Sequence, residues 1–319
     1  MSPPSNMLAP QYNAASHGNG SGRPSINMSS VFQILHITWG FLRSDLLTFA
    51  LPNTLFGLLG AIAGPQLLEG PQPRVADVMK RAPFVMLFNF YSLLVFDLAN
   101  QWSPDSVEED RVNKPWRPIP SGRITSEQTR KALLFTALVS LAFNYCLGIW
   151  SEGLFVQVLS YYYNELNGGG GPLRDVIISV SYGLANRTSL RLASGPENTI
   201  NQQGQAWIFV VSTIILTTMH IQDMKDLQGD RKRGRKTIPI LIGDFSCRIA
   251  LAILIPFWSI IAVRFWNLGI TGSSLYFLLA ILVGIRVLAI QDRKEDARTW
   301  KLWCFWHTSL YALPILSRV

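Results

Sequence analysis

The sequence predicts an all-α integral membrane protein built as a bundle of eight or nine transmembrane helices. Three observations carry this. Only 48 of 319 residues are charged, or 15%, against roughly 25% in soluble domains. Apolar residues make up 49% of the chain and mean hydropathy is +0.22. Apolar segments close to the ~20 residues that cross a bilayer recur along the chain. Together they exclude a soluble globule and a disordered chain.

The elements follow in order. Residues 1–30 are rich in Pro, Ser, Asn and Gly and predict a disordered tail. No charged start followed by an apolar run marks a secretory signal. The stretch VFQILHITWGFLRSDLL is amphipathic and predicts a helix lying along the membrane surface. Apolar segments then fall at 46–64, 84–100, 131–150, 154–163, 173–192, 206–222, 248–266, 273–290 and 302–316. The fourth is short, and the fifth carries Arg187 and Arg191. Glycine and proline within several of them are tolerated in membrane helices. The remainder, 31–319, reads as one transmembrane domain.

The net charge is +8, yet the basic residues sit between apolar runs rather than in one tract. This needs no nucleic acid. Fourteen Lys and Arg fall in alternate loops, among them Arg111, Lys114, Arg123, Arg174, Lys225, Arg233 and Arg293; three, Arg74, Lys80 and Arg81, fall in the others. The positive-inside rule then places the even-numbered loops and the N-terminus in the cytosol. The three cysteines, Cys146, Cys247 and Cys304, show no metal-ligand or disulfide-framework spacing. Asn27 and Asn186 match the glycosylation pattern, the first in the predicted cytosolic tail and the second within a span.

Acidic residues gather in two places, both at the predicted cytosolic ends of spans. In the first, Asp97, Gln101, Asp105 and Glu109 recur at i, i+4, i+8 and i+12. A continuous helix would align them in one row, unless Pro104 interrupts it. Asn100, Glu108 and Asp110 add oxygens nearby. In the second, Asp223, Asp226 and Asp230 recur at i, i+3 and i+7. Carboxylates on one stripe repel unless a cation lies between them. Hard divalent ions take oxygen ligands, and Mg²⁺ uses one or two carboxylates with substrate phosphate and water. Basic residues follow each cluster: Arg111, Lys114 and Arg117, then Arg231, Lys232 and Lys236. Acids that hold metal beside bases that hold phosphate suit a diphosphate bridged by Mg²⁺. The other reading is solvated loop charge flanking spans. Two clusters on one face, each with its basic follow-on, favour the metal–diphosphate site.

These residues resemble the UbiA superfamily of intramembrane prenyltransferases, and look closest to its fungal terpene cyclases. The first family motif, N(D/Q)xxDxxxD followed by a base and an RP-L/I-P-SG run, matches Asn100-Gln101, Asp105, Asp110, Lys114 and the Arg117 to Gly122 segment. The second, DxxDxxGD, matches Asp223, Asp226, Gly229 and Asp230. The first motif departs from the family spacing: Asp105 stands five residues after Asn100 rather than four, and Ser106 falls where an acid is expected. The resemblance implies nine helices around a central cavity capped by both acidic loops. It implies Mg²⁺ held among Asp97, Gln101, Asp105, Glu109, Asp110, Asp223, Asp226 and Asp230. Asn100, Lys114, Arg117, Arg231, Lys232 and Lys236 would hold the diphosphate, and Asp105, Asp226 and Asp230 would be catalytic. An endoplasmic-reticulum-type membrane follows from the fungal likeness.

The implied chemistry is heterolysis of an isoprenyl diphosphate, farnesyl or geranylgeranyl. The carbocation then attacks its own double bonds, as in a terpene cyclase, or meets an aromatic or quinone-precursor acceptor, as in a prenyltransferase. Candidate aromatics for the cation are Phe88, Phe90, Tyr91, Phe96, Tyr161, Tyr162, Tyr163, Tyr182, Trp207 and Phe257. His220 is a candidate base, ahead of His307. A transporter with Arg187 and Arg191 on an anion path is the reading from another class. No obligate protein partner is indicated.

Overall fold

The computed structural model describes residues 28–171, 173–289 and 292–317. Asn27 and the bulk of the predicted tail lie outside them. Contacts set Ile37–Val319 apart as one compact unit; the described part of the other, Met1–His36, is the start of α1. The helices are α1 (Met28–Leu42), α2 (Leu51–Ala63), α3 (Val75–Gln101), α4 (Pro104–Asn113), α5 (Ser126–Cys146), α6 (Trp150–Asn164) and α7 (Arg174–Ser194). They continue with α8 (Gln202–Thr218), α9 (Leu227–Arg233), α10 (Ile238–Ile242), α11 (Asp244–Phe265), α12 (Ile270–Ala289), α13 (Arg293–Ser309) and α14 (Leu313–Leu316). A π-helical turn, Leu46–Ala50, leads into α2, and a 3₁₀ segment, Met219–Asp226, joins α8 to α9. Two short antiparallel strands, β1 (Leu68–Glu69) and β2 (Thr199–Ile200), pair on the opposite end from the acidic loops.

Each of the nine predicted apolar segments overlaps a helix among the described residues. Among the described residues, five helical stretches are long and apolar enough to cross a membrane: Leu46–Gln66, Val75–Gln101, Gln202–Arg233, Asp244–Phe265 and Gly272–Ala289. Helix α6 is too short by itself, at 15 residues. Helix α7 carries Arg174, Arg187 and Arg191. Large apolar side chains point outward along the bundle, including Leu138 on α5, Ile253 on α11 and Leu278 on α12. An outward apolar face is what lipid contact requires.

Inside the bundle, close packing and hydrogen bonds replace a water-driven core. Helices α2 and α7 approach so closely at Gly57 that a Cβ there would lie 2.5 Å from the Ser189 carbonyl. Asn89 on α3 donates to Thr54 Oγ1 on α2 at 3.2 Å and to Ser189 Oγ on α7 at 2.8 Å. Trp303 donates to Thr218 and Trp306 to Ser259, fastening α13 to α8 and α11. Buried Arg248 on α11 grips Asp296 on α13 through two 2.8 Å bonds.

The predicted row of Asp97, Gln101, Asp105 and Glu109 is broken. Proline disfavours helix at the residue before it, and Ser103 is extended (ψ 150°), its side chain accepting from the Ser106 amide at 3.3 Å. Helix α3 therefore ends at Gln101 and α4 restarts on Pro104 in a new direction. Asn186 is fully buried in α7 and cannot accept a glycan. The three cysteines are free thiols, Cys146 exposed and the others buried.

Candidate active site

A cavity of about 960 Å³ opens at the end of the bundle where the loops α3–α5, α6–α7, α8–α11 and α12–α13 meet. These are the loops in which the sequence concentrates its positive charge. The mouth is polar, lined by Asn100, Glu109, Asn113, Lys114, Arg117, Arg174, Asp223, Lys225, Asp226, Asp230 and Arg235. The interior is apolar and aromatic, with Phe49, Leu93, Phe96, Val156, Leu159, Tyr163, Ile177, Ile178 and Tyr182. Phe49 meets Tyr182 edge-on at 5.1 Å, and Phe96 meets Tyr163 at 5.2 Å.

The 3₁₀ segment explains why the second acidic motif faces one way. Residues three apart eclipse in a 3₁₀ helix, so Asp223 and Asp226 share a side, and Asp230 joins them from the first turn of α9. Each acid meets a base. Arg174, at the start of α7, holds Asp223 bidentately at 2.8 and 2.9 Å and is itself buttressed by Tyr163 Oη and Asp175. Asp226 pairs with Lys225 at 2.6 Å and Lys114 at 3.9 Å. Asp230 lies 3.9 Å from Arg235, and its buried Oδ2 has no hydrogen-bond partner.

The two motifs are locked together. The Asn113 amide donates to the Asp226 carbonyl at 3.0 Å and accepts from the Gly229 amide at 3.2 Å. Arg233 reaches back to Glu109 at 2.8 Å, Arg235 to the same carboxylate at 3.2 Å, and Lys232 to Glu108 at 2.5 Å. Burial pushes the Glu109 carboxyl up, but Arg235 and Arg233 outweigh it and hold the group below the usual carboxylate range. Burial and Arg117 depress Lys114, yet Asp226, Asp45 and Asp110 raise it above an ordinary lysine.

Several predicted site residues lie elsewhere. Asp105 is exposed on α4 and does not reach the cavity. Asp110 turns inward to a bidentate pair with Arg117, 2.9 Å to both oxygens, and burial keeps its carboxyl above its ordinary value despite that partner. Asp97 and Gln101 are buried at the end of α3 behind the cavity wall; Gln101 donates to the Phe41 carbonyl. Arg231, Lys232 and Lys236 are exposed outside the wall. Arg187 and Arg191 are exposed along α7 away from the mouth, Arg191 paired with Glu152, so they line no path through this cavity. Of the candidate aromatics, Phe96, Tyr163 and Tyr182 line it; Trp207 is packed against Phe265 and Trp266 instead. Among the described residues no histidine lines it. His307 stacks on Trp303, and His220 is buried.

Sequence reasoning missed Asp45, Asn113, Arg174, Lys225 and Arg235 as parts of the site. Arg174 was visible only as loop charge, and Asp45 stands before the first span, far from either motif. Asp45 pairs with Arg117 at 3.3 Å. Burial works to raise its carboxyl, but Lys114, Arg117 and Lys225 hold it below the usual range.

No group of three or more His, Cys, Asp or Glu side chains converges as a metal cage among the described residues. Magnesium does not need one; it takes one or two carboxylates and completes its shell with phosphate and water. Glu109, Asp223, Asp226 and Asp230 supply hard oxygen donors on one cavity mouth, and the orphaned Asp230 Oδ2 is the kind of group such an ion satisfies.

Fold and site define a class: a multi-pass helical membrane protein whose acid- and base-rich mouth caps an apolar, aromatic chamber. Comparison with known proteins narrows it. The chain belongs to the UbiA prenyltransferase family, whose profile matches residues 84–309. It is 27% identical over 299 residues to somaliensene A/B synthase of Streptomyces somaliensis, covering 89% of this chain and 95% of that one. It is 29% identical over 243 residues to fumagillin beta-trans-bergamotene synthase of Aspergillus fumigatus, covering 73% and 80%. A UbiA homologue from Archaeoglobus fulgidus, solved with GPP and Mg²⁺, superposes with a TM-score of 0.57 at 14% identity, over 86% of this chain and 99% of that one. At that identity the shared property is the fold.

Proposed function

We propose that this chain is a Mg²⁺-dependent membrane enzyme that ionises an isoprenyl diphosphate, farnesyl or geranylgeranyl, and cyclises the carbocation to a terpene. The observation that carries the reading is one cavity with two chemistries, a charged mouth and an apolar, aromatic interior. The names of the two synthase relatives support it.

Glu109, Asp223, Asp226 and Asp230 would hold the ion, and Mg²⁺ when bound neutralises charge growing on the leaving diphosphate. Lys114, Arg117, Arg174, Lys225 and Arg235 stand among those acids as cations for the diphosphate, and Asn100 offers its amide beside them. Arginine grips phosphate oxygens in a fixed fork, so Arg235 orients the headgroup, while Lys114 acts as a point charge and Arg174, its fork on Asp223, adds positive charge behind it. The prenyl chain then lies against Phe49, Phe96, Tyr163 and Tyr182, whose ring faces stabilise a carbocation and exclude water. Residues 31–319 form the catalytic domain, 1–30 a cytosolic tail, and both acidic loops face the cytosol of an endoplasmic-reticulum-type membrane.

Prenyl transfer to an aromatic or quinone-precursor acceptor is the second reading. The cavity lies near the top of the roughly 300–1,000 Å³ usual for small-molecule sites, which leaves room beside a prenyl chain. Membranes carrying the protein, given labelled prenyl diphosphate and Mg²⁺ alone, separate the two. Cyclisation yields a hydrocarbon with no acceptor present. Product that forms only after an aromatic acid is added overturns cyclisation in favour of transfer.

A further inference from the structure

Cyclisation ends when a proton leaves the last carbocation, and the chamber must offer a base at that moment. We infer that Asp45 is the residue that takes this proton; the inference rests on the cyclase reading above.

The interior of the cavity is aliphatic, aromatic and hydroxylic, and among the described residues no histidine reaches it. Among the described residues, the carboxylates that line the cavity are Asp45, Glu109, Asp223, Asp226, Asp230 and Asp292. Glu109, Asp223, Asp226 and Asp230 belong to the acid–base set proposed for the metal and diphosphate. Asp292 sits on the outer rim, capping the first turn of α13 by accepting from the Lys294 amide at 3.1 Å. Asp45 differs in position. It immediately precedes the π-helical turn whose Leu47, Thr48 and Phe49 line the chamber. The Asp45 carbonyl accepts from the Thr48 and Phe49 amides at 3.2 and 2.9 Å, so the acid and the chamber wall are one rigid turn. π-Helical turns recur at functional sites.

Its surroundings suit the task. The side chain is 27% exposed, against 3% for Asp110, which shares Arg117 from the other side. Asp45 is thus reachable from the cavity while Asp110 serves the guanidinium from behind. Asp97, at the buried end of α3, interacts electrostatically with Asp45, and neither of its carboxyl oxygens has a hydrogen-bond partner. Neighbouring Lys114, Arg117 and Lys225 keep Asp45 in the carboxylate form. A hydrogen on the carbon beside a carbocation is acidic enough that location, rather than basicity, selects the acceptor.

The step balances. The C–H bond beside the cationic carbon breaks and its electron pair forms the new C=C bond. The proton binds an Asp45 carboxylate oxygen, then passes to water at the mouth or to the departing diphosphate. With ionisation included, prenyl diphosphate becomes hydrocarbon plus protonated diphosphate.

Asp45→Asn keeps the shape and removes the base, and Arg117 retains both its bonds to Asp110. Wild type, D45N and D45E are incubated in membranes with labelled prenyl diphosphate and Mg²⁺, scoring diphosphate release and product spectrum separately. A wild type that makes no hydrocarbon sinks the cyclase reading itself. With that reading intact, the share of D45N product that is the principal hydrocarbon should fall about tenfold, as water-quenched alcohols or earlier-terminated olefins appear, whatever its rate of diphosphate release. D45E should restore the wild-type ratio. Asp45→Ser, which removes the carboxyl without adding an amide, gives the same shift and stands in if D45N does not accumulate. An unchanged product ratio in D45N or D45S, with all products falling together, overturns the inference: Asp45 would then only hold its cations, and the diphosphate would take the proton.

Discussion

Gly229 and Asn113 form a close contact between the two acidic motifs, and its energetics can be read by a double-mutant cycle. Asn113→Ala removes two hydrogen bonds, to the Asp226 carbonyl and from the Gly229 amide. At about 1 kcal/mol each, the cost is about 2 kcal/mol. Gly229→Ala attacks the same joint from the other side. A Cβ there would lie 2.1 Å from Asn113 Nδ2, so the asparagine must leave and the same two bonds break. Alone, each substitution therefore destabilises. Combined, they should not add. Once Asn113 is alanine the new methyl meets no amide, and alanine in a helix is favoured over glycine by about 1 kcal/mol. The double variant should thus be no less stable than Asn113→Ala alone, a coupling of about 2 kcal/mol or more. Reversible unfolding of the four proteins in mixed detergent measures it. Additive losses would refute the clamp, as would a Gly229→Ala protein of wild-type stability. Mg²⁺-dependent diphosphate release should fall in both single variants, because the joint sets where Asp226 stands relative to Glu109.

Other consequences are open to measurement. Arg174→Ala strands buried Asp223 without its bidentate partner and should cost about 3–5 kcal/mol; thermal unfolding in detergent checks it, and a change under 1 kcal/mol contradicts the pairing. Glu109, held below its ordinary range by Arg235 and Arg233, stabilises the fold fully above its unfolded value of about 4.3 and loses that contribution as pH falls through the lower folded value. Glu109→Gln should therefore be less stable than wild type at neutral pH, with the gap closing under more acid conditions; a gap independent of pH would refute it. Asp226→Ala should depress turnover at least about a hundredfold at saturating substrate, measured as diphosphate release with protein level held equal; retention of activity would remove Asp226 from the machinery.

What could be read in the sequence was what repeats locally. Charge depletion and recurring apolar runs predict the helices, and the i, i+3, i+7 spacing anticipates the shared face of Asp223, Asp226 and Asp230. Pro104 marks the place where the parallel argument for Asp97, Gln101, Asp105 and Glu109 fails. A helix restarting on Pro104 itself takes Asp105 out to solvent and leaves Glu109 at the mouth. What stayed hidden depends on distant partners. Arg174 meets Asp223 across 49 positions, and Asn113 meets Gly229 across 116. Lys232 satisfies the description of a phosphate ligand in sequence, and in three dimensions it answers Glu108. Charge type alone cannot say which of several acids a base will face.

The ion ladder from α9 back to α4 has a consequence for protein engineering. Because Lys232 and Arg233 answer Glu108 and Glu109, and Asn113 fills the space above Gly229, the two acidic loops are halves of one joint. A chimera that imports either loop from a relative inherits a mismatched seam. Transplants that carry α4 and α9 as a matched set should keep the mouth intact, leaving the chamber walls on α3, α6 and α7 free to be exchanged for new product shapes.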